Sequence, residues 1–185
     1  MTIIICPGIH APTLTQRFVS QLLETDKNSH LGNDVKIIVF PSGGILPISG
    51  LHLLEFLHQN QNIGDNFNEP ITLISFSAGV IGAFMAACLW ELEGGKIRAF
   101  IAMDGWGVPL FANFPIYRLS HDYFTHWSSL LLGGGESNFY AEPPVSHLEL
   151  WENFKMVKGY QINYSKIPEK TYLKASDFLH LILQN

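Results

Sequence analysis

The feature that most limits what this chain can fold into is a set of short apolar runs without polar alternation. Thr2 to Cys6 reads TIIIC, Val35 to Phe40 reads VKIIVF, Ile71 to Phe76 reads ITLISF and Arg98 to Met103 reads RAFIAM. A strand with one wet face alternates apolar and polar residues. A strand that is apolar throughout is covered on both faces, the pattern of a parallel sheet between helices. Helical periodicity follows most of these runs. Leu14, Phe18, Leu22 and Leu23 recur after Thr13; Leu51, Leu54 and Leu57 recur between Ser49 and His58; Ala78 to Glu93 is a long apolar helix stopped by Gly94-Gly95. Further strands are expected at Pro115 to Ser120 and from Asn138 to Ala141, and a closing helix over Thr171 to Leu183. Gln59 to Pro70 is polar and turn-rich and reads as a surface loop. Alternating strand and helix predicts an α/β fold, a single-domain three-layer sandwich spanning 1–185 with a mostly parallel sheet of about six strands.

Composition narrows the partners. With 47% apolar and 15% charged residues the chain has ample material for a core. The net charge of -5 and the lack of a Lys/Arg cluster argue against nucleic acid and anionic membranes. No run is long enough to span a membrane, and Met1 to Gly8 lacks the pattern of a signal peptide. Cys6 and Cys88 lie in apolar segments and read as buried thiols. A cytoplasmic protein is the expectation. No metal-ligand spacing, Walker loop or dinucleotide motif is visible, so neither metal nor cofactor is expected. Gly133-Gly134-Gly135 reads as a flexible connection.

In an open parallel sheet, sites form at the carboxyl ends of the strands. Those ends carry polar residues here: Pro7-Gly8-Ile9-His10, Ser75-Phe76-Ser77, Asp104-Gly105-Trp106 and His121-Asp122, with Ser146-His147 after the last strand. A serine, two acids and several histidines thus share one predicted edge. The set in best chain order is Ser77, Asp122, His147, with Asp104 as the alternative acid. His10 reads as a substrate-side contact, and His121 and His126 as structural or pocket-lining residues.

Ser75 to Gly79 resembles the nucleophile elbow Gly-x-Ser-x-Gly of the α/β-hydrolases in their small lidless form, like the minimal bacterial lipases and esterases, with Ser75 in place of the first glycine. Pro7-Gly8-Ile9 resembles that family's oxyanion loop, with Pro7 in place of its histidine. The order serine, acid, histidine also matches. The resemblance implies a serine hydrolase that cleaves carboxylic esters or thioesters through an acyl-enzyme. Ser77 would attack, His147 would carry the proton, Asp122 or Asp104 would orient the imidazole, and the N–H groups of Ile9 and Ala78 would form the oxyanion hole. Trp106, Phe124 and Trp127 follow the fourth and fifth strands and would line an open pocket for an apolar acyl group. A reading of another class is a non-catalytic protein of the same fold that binds a small molecule or a protein partner.

Overall fold

The computed structural model describes residues 1–27, 35–41, 43, 46–60, 69–135, 137–164 and 168–184, with the side chains of 25–27 excepted. Among them the strands are β1 (Thr2–Cys6), β2 (Lys36–Val39), β3 (Ile71–Phe76), β4 (Ile97–Met103), β5 (Ile116–Ser120), β6 (Ser137–Ala141), β7 (Lys158–Asn163) and β8 (Glu169–Lys174). The helices are α1 (Pro12–Lys27), α2 (Gly50–Gln59), α3 (Gly79–Leu92), α4 (Tyr123–Leu130), α5 (His147–Glu152) and α6 (Ala175–Gln184). All eight strands form one sheet in the order β2-β1-β3-β4-β5-β6-β7-β8. β1 to β6 pair in parallel, and β7 and β8 add an antiparallel edge.

Alternate residues of the inner strands feed two cores. Ile3, Ile5, Ile74, Phe76, Ile101 and Met103 face α1, α5 and α6, where Phe18, Trp151 and Phe178 are buried. Ile4, Cys6, Leu73, Phe100 and Ala102 face α2 and α3, where Leu53, Leu57, Ala83 and Trp90 are buried. Double-sided burial is why these strands are apolar throughout. The fit of α3 depends on small residues: a Cβ on Gly82 would collide with the Pro47 carbonyl of the 3₁₀ turn at Leu46–Ile48. Gly94, with φ 96°, ends the helix as expected.

Several local expectations are corrected. The sheet has two strands more than the six foreseen, because β7 and β8 carry polar residues on an outer face. Thr171 to Lys174 therefore belongs to β8, and the closing helix begins at Ala175. On α2 the core side is Leu53 and Leu57, while Leu51 is exposed. Most of the loop expected at Gln59 to Pro70 lies outside the described residues. Cys6 is buried but Cys88 only partly so. Gly133 to Gly135 is close-packed: Cβ atoms there would strike the carbonyls of Leu110 and Ile116. The connection 104–115 joins two parallel neighbours without a helix, and Leu110 and Phe114 fold down from it as core. Among the described residues no helix is long and apolar enough to cross a membrane.

Candidate active site

The chain runs from β1 outward to β2, then back across to β3 on the other side of β1. Such a reversal opens a crevice at the carboxyl ends of the strands. Pro7 to His10 leaves β1 there, and Ser77 stands at the end of β3. Ser77 has φ 53°, in the left-handed region that non-glycine residues avoid, which turns its side chain out of the strand–helix junction. The neighbours permit this turn by being small. A Cβ on Gly79 would lie 2.6 Å from the Cys6 carbonyl oxygen, and one on Gly8 would lie 2.9 Å from Ser77 Cβ. Ser75, which replaces a glycine of the elbow pattern, is fully buried and donates to the Ile101 carbonyl at 3.0 Å. Its hydroxyl is thereby satisfied inside the sheet.

His147 opens α5 behind a capping box formed by Ser146 and Glu149. Its Nε2 lies 3.0 Å from Ser77 Oγ, and its Nδ1 lies 2.8 Å from Asp104 Oδ2. Phe76 stacks on the imidazole at 4.6 Å, Trp151 stacks on Phe76, and Phe18 stacks on Trp151. An aromatic column thus backs the ring.

The acid that meets His147 is Asp104, and the geometry departs here from the expectation of Asp122. Asp104 ends β4, has φ 51° and is buried. Asp122 is the N-cap of α4, its Oδ1 accepting from Thr125 N at 2.7 Å. Its other oxygen faces His121 Nε2 at 3.6 Å. Asp104 also accepts from His121, at Oδ2 from Nδ1 and at Oδ1 from the backbone N–H, both at 2.8 Å. Burial pushes the Asp104 carboxyl upward, but the hydrogen bonds from His121 and His147 and the His121 charge outweigh it. The net pKa lies below the usual carboxylate range. His121 moves the other way: its hydrogen bond to Asp104 raises its pKa against partial burial.

Above Ser77 lies a cleft of about 310 Å³ lined by Ser77, Ala78, Ile81, Trp106, Val108, Thr125 and the Asp104, His121 and His147 group. Trp106 donates a 3.1 Å hydrogen bond from its Nε1 to Ser128 Oγ at the rim of this cleft. Phe124 and Trp127 are not among the lining residues; they are exposed and meet edge to face at 5.7 Å. The helical turn points Thr125 inward instead. His10 is also absent from the lining. Its Nε2 lies 2.9 Å from Thr15 Oγ1, and its ring packs on Phe76 and Trp151. Burial and the neighbouring His147 lower its pKa. Asp104, His121 and His147 form the only cluster of His, Cys, Asp or Glu among the described residues close enough to hold a cation. Both Nδ1 atoms are already committed to one carboxylate oxygen, which makes it a hydrogen-bonded network. The Asp104–His121 contact was missed from sequence, although a histidine next to a strand-end acid was a usable signal.

No protein-family model and no curated protein sequence matches the chain. Solved structures do. RedJ with a polyethylene glycol molecule in its active site aligns over 80% of this chain and 86% of its own, with a TM-score of 0.55 at 11% identity. Another structure, the RedJ thioesterase of the prodiginine biosynthetic pathway in Streptomyces coelicolor, aligns over 60% of this chain with a TM-score of 0.41 at 14% identity, and the chain spans 41% of it. A Xanthomonas campestris protein assigned provisionally to the alpha/beta hydrolase superfamily aligns over 80% of this chain and 88% of its own, at 18% identity and a TM-score of 0.46. With its parallel sheet, strand order and crevice, the chain has the α/β-hydrolase fold.

Proposed function

We propose that the protein is a serine hydrolase that cleaves a carboxylic ester or thioester through an acyl-enzyme. The observation that carries this reading is the unbroken relay from Ser77 Oγ to His147 Nε2 at 3.0 Å and from His147 Nδ1 to Asp104 at 2.8 Å. A serine hydroxyl is a weak nucleophile and needs a base at that distance. His147 takes the Ser77 proton as Oγ attacks the acyl carbon, then gives it to the departing alkoxide or thiolate. A water molecule, deprotonated by the same imidazole, releases the acid and restores Ser77. Asp104 accepts the Nδ1–H, which keeps Nε2 free as the acceptor and stabilises the imidazolium.

The backbone N–H groups of Ala78 and Ile9 are the donors we assign to the oxyanion. Ala78 enters the helical conformation directly after Ser77, and the tight contact between Gly8 and Ser77 brings the β1 loop beside it. Such donors act where negative charge develops. The cleft is mostly apolar and of modest volume, which suits a short acyl group with the leaving group toward solvent. RedJ, whose fold the chain shares, is described as a thioesterase, which supports keeping thioesters beside esters in this reading.

A fluorophosphonate probe tests the reading. It should label Ser77, and labelling should vanish in Ser77→Ala and fall sharply in His147→Ala. Folded wild-type protein that resists the probe and leaves short-chain esters and thioesters intact would instead favour a binding role.

A further inference from the structure

His121 lines the cleft, yet cleavage of an ester needs one histidine. Its contacts single it out. Asp104 accepts three hydrogen bonds from this group of residues, and two of them come from His121: Nδ1–H to Oδ2 and backbone N–H to Oδ1, each 2.8 Å. The third is from His147 Nδ1, at the same Oδ2 and the same 2.8 Å. The His121 carbonyl also accepts from Val145 N at 3.0 Å, so it holds the loop leading to His147 as well. The two imidazoles lie edge to face with centroids 6.1 Å apart. The charged and titratable groups facing His121 are Asp104 from the end of β4, Asp122 at the start of α4 and His147 from α5.

We propose that His121 is a positioning residue of this site: it clamps Asp104, and its protonation sets how much carboxylate charge is left to support a His147 imidazolium. The inference rests on the hydrolase reading above. Neutral His121 donates one N–H and leaves Asp104 its full charge. Protonated His121 neutralises that charge and sets a second cation 6.1 Å from a ring that must itself become positive. At an effective dielectric of about 20, discounted for partial exposure, this slows the reaction on the order of tenfold or more. The His121 proton exchanges with solvent and never enters the bond-making step. The hydrogen bond to Asp104 raises the His121 pKa, against some desolvation and with help from the charges of Asp104 and Asp122. Its change of charge therefore falls at a higher pH than that of an ordinary histidine.

The test compares wild type, His121→Asn and His121→Ala in kcat/KM for p-nitrophenyl butyrate between pH 4.5 and 8.5, with fluorophosphonate labelling in parallel. Asparagine keeps an N–H where Nδ1 stood and cannot titrate. The acid limb of wild type should fall in two stages, the first a partial loss set by His121, and that of His121→Asn in a single stage. His121→Ala should lose about tenfold in kcat with little change in KM, and His121→Asn should restore most of that loss. A wild-type limb with a single stage, superimposable limbs, or an alanine variant with full kcat would overturn the proposal. If the variants do not fold, imidazole NMR of wild type decides: the His147 ring signals should move as His121 changes charge, and His147 signals that do not respond to His121 refute the clamp. Absence of labelling and turnover in wild type would sink the hydrolase reading, while the NMR coupling would still judge the clamp.

Discussion

The sharpest consequence of the geometry is a ranking of two aspartates. In Asp104→Asn the amide keeps an acceptor for the His121 backbone N–H but can place an NH₂ where Oδ2 faced His147 Nδ1 at 2.8 Å. Two donors cannot share that contact. His147 then protonates at Nε2 instead, and Nε2 can no longer take the Ser77 proton. The imidazolium also loses its counter-charge. At about 4 Å between charge centres and an effective dielectric of about 20, that charge is worth about 4 kcal/mol, or ~10³ in rate. Adding the wrong tautomer brings the expected loss in kcat/KM to ~10³–10⁴. Asp122→Asn should behave quite differently. Asparagine caps a helix about as well as aspartate. The lost charge contact with His121, at 3.6 Å and partly exposed, is worth at most about 1 kcal/mol. Hydrolysis of p-nitrophenyl butyrate by the two variants, each with its melting curve, measures the ranking. A loss in Asp122→Asn equal to or greater than that in Asp104→Asn would refute the relay through Asp104.

Three other perturbations have defined outcomes. Gly8→Ala puts a Cβ 2.9 Å from both Ser77 Cβ and the Phe76 carbonyl oxygen, so the β1 loop must move off the elbow; kcat should fall ~10²-fold or more with labelling of Ser77 slowed, and unchanged kcat would remove Ile9 from the oxyanion role. Arg118 is buried with its guanidinium on the carbonyls of Val108, Gly133 and Leu132, at 2.8, 2.6 and 3.2 Å, so Arg118→Met should cost about 2–4 kcal/mol in urea unfolding by orphaning them, and a loss under about 1 kcal/mol would contradict that role. His126 is buried, and desolvation together with the Arg118 charge lowers its pKa to about 4. The unfolded chain therefore binds the His126 proton first: its contribution is complete above the ordinary value of 6.5 and is lost as pH falls towards about 4, by up to about 3 kcal/mol. His126→Gln should flatten the urea midpoint over that window, and an unchanged pH dependence would refute it. His121, with a raised pKa, acts with the opposite sign and in a window above 6.5.

What the sequence made legible follows from where side chains lie. The inner strands were readable because both faces are buried, and Ser77 because small residues must flank it. β7 and β8 were not, since an edge hairpin with exposed Glu169, Lys170, Thr171 and Tyr172 resembles a loop or a helix start. The aromatic lining was read too widely because Tyr123, Phe124 and Trp127 lie on the outer face of α4, while Thr125, His126 and Ser129 turn inward.

The acid shows what spacing cannot reach. Met103 of β4 pairs with Leu119 of β5, so Asp104 stands one residue past the paired end, level with Ser120. Asp122 stands two residues further on, as the cap just before the first turn of α4. The segment Asp122-Tyr-Phe-Thr125 carried a helix-start signal, since an aspartate before an apolar helical run is a cap, and a cap's carboxylate is spent on its own helix. Asp104 has no helix behind it. Its φ of 51° matches the 53° of Ser77 at the end of the neighbouring strand. Two adjacent strand ends thus kink alike and send a hydroxyl and a carboxylate over the same edge, which leaves one place, between them, for the His147 ring.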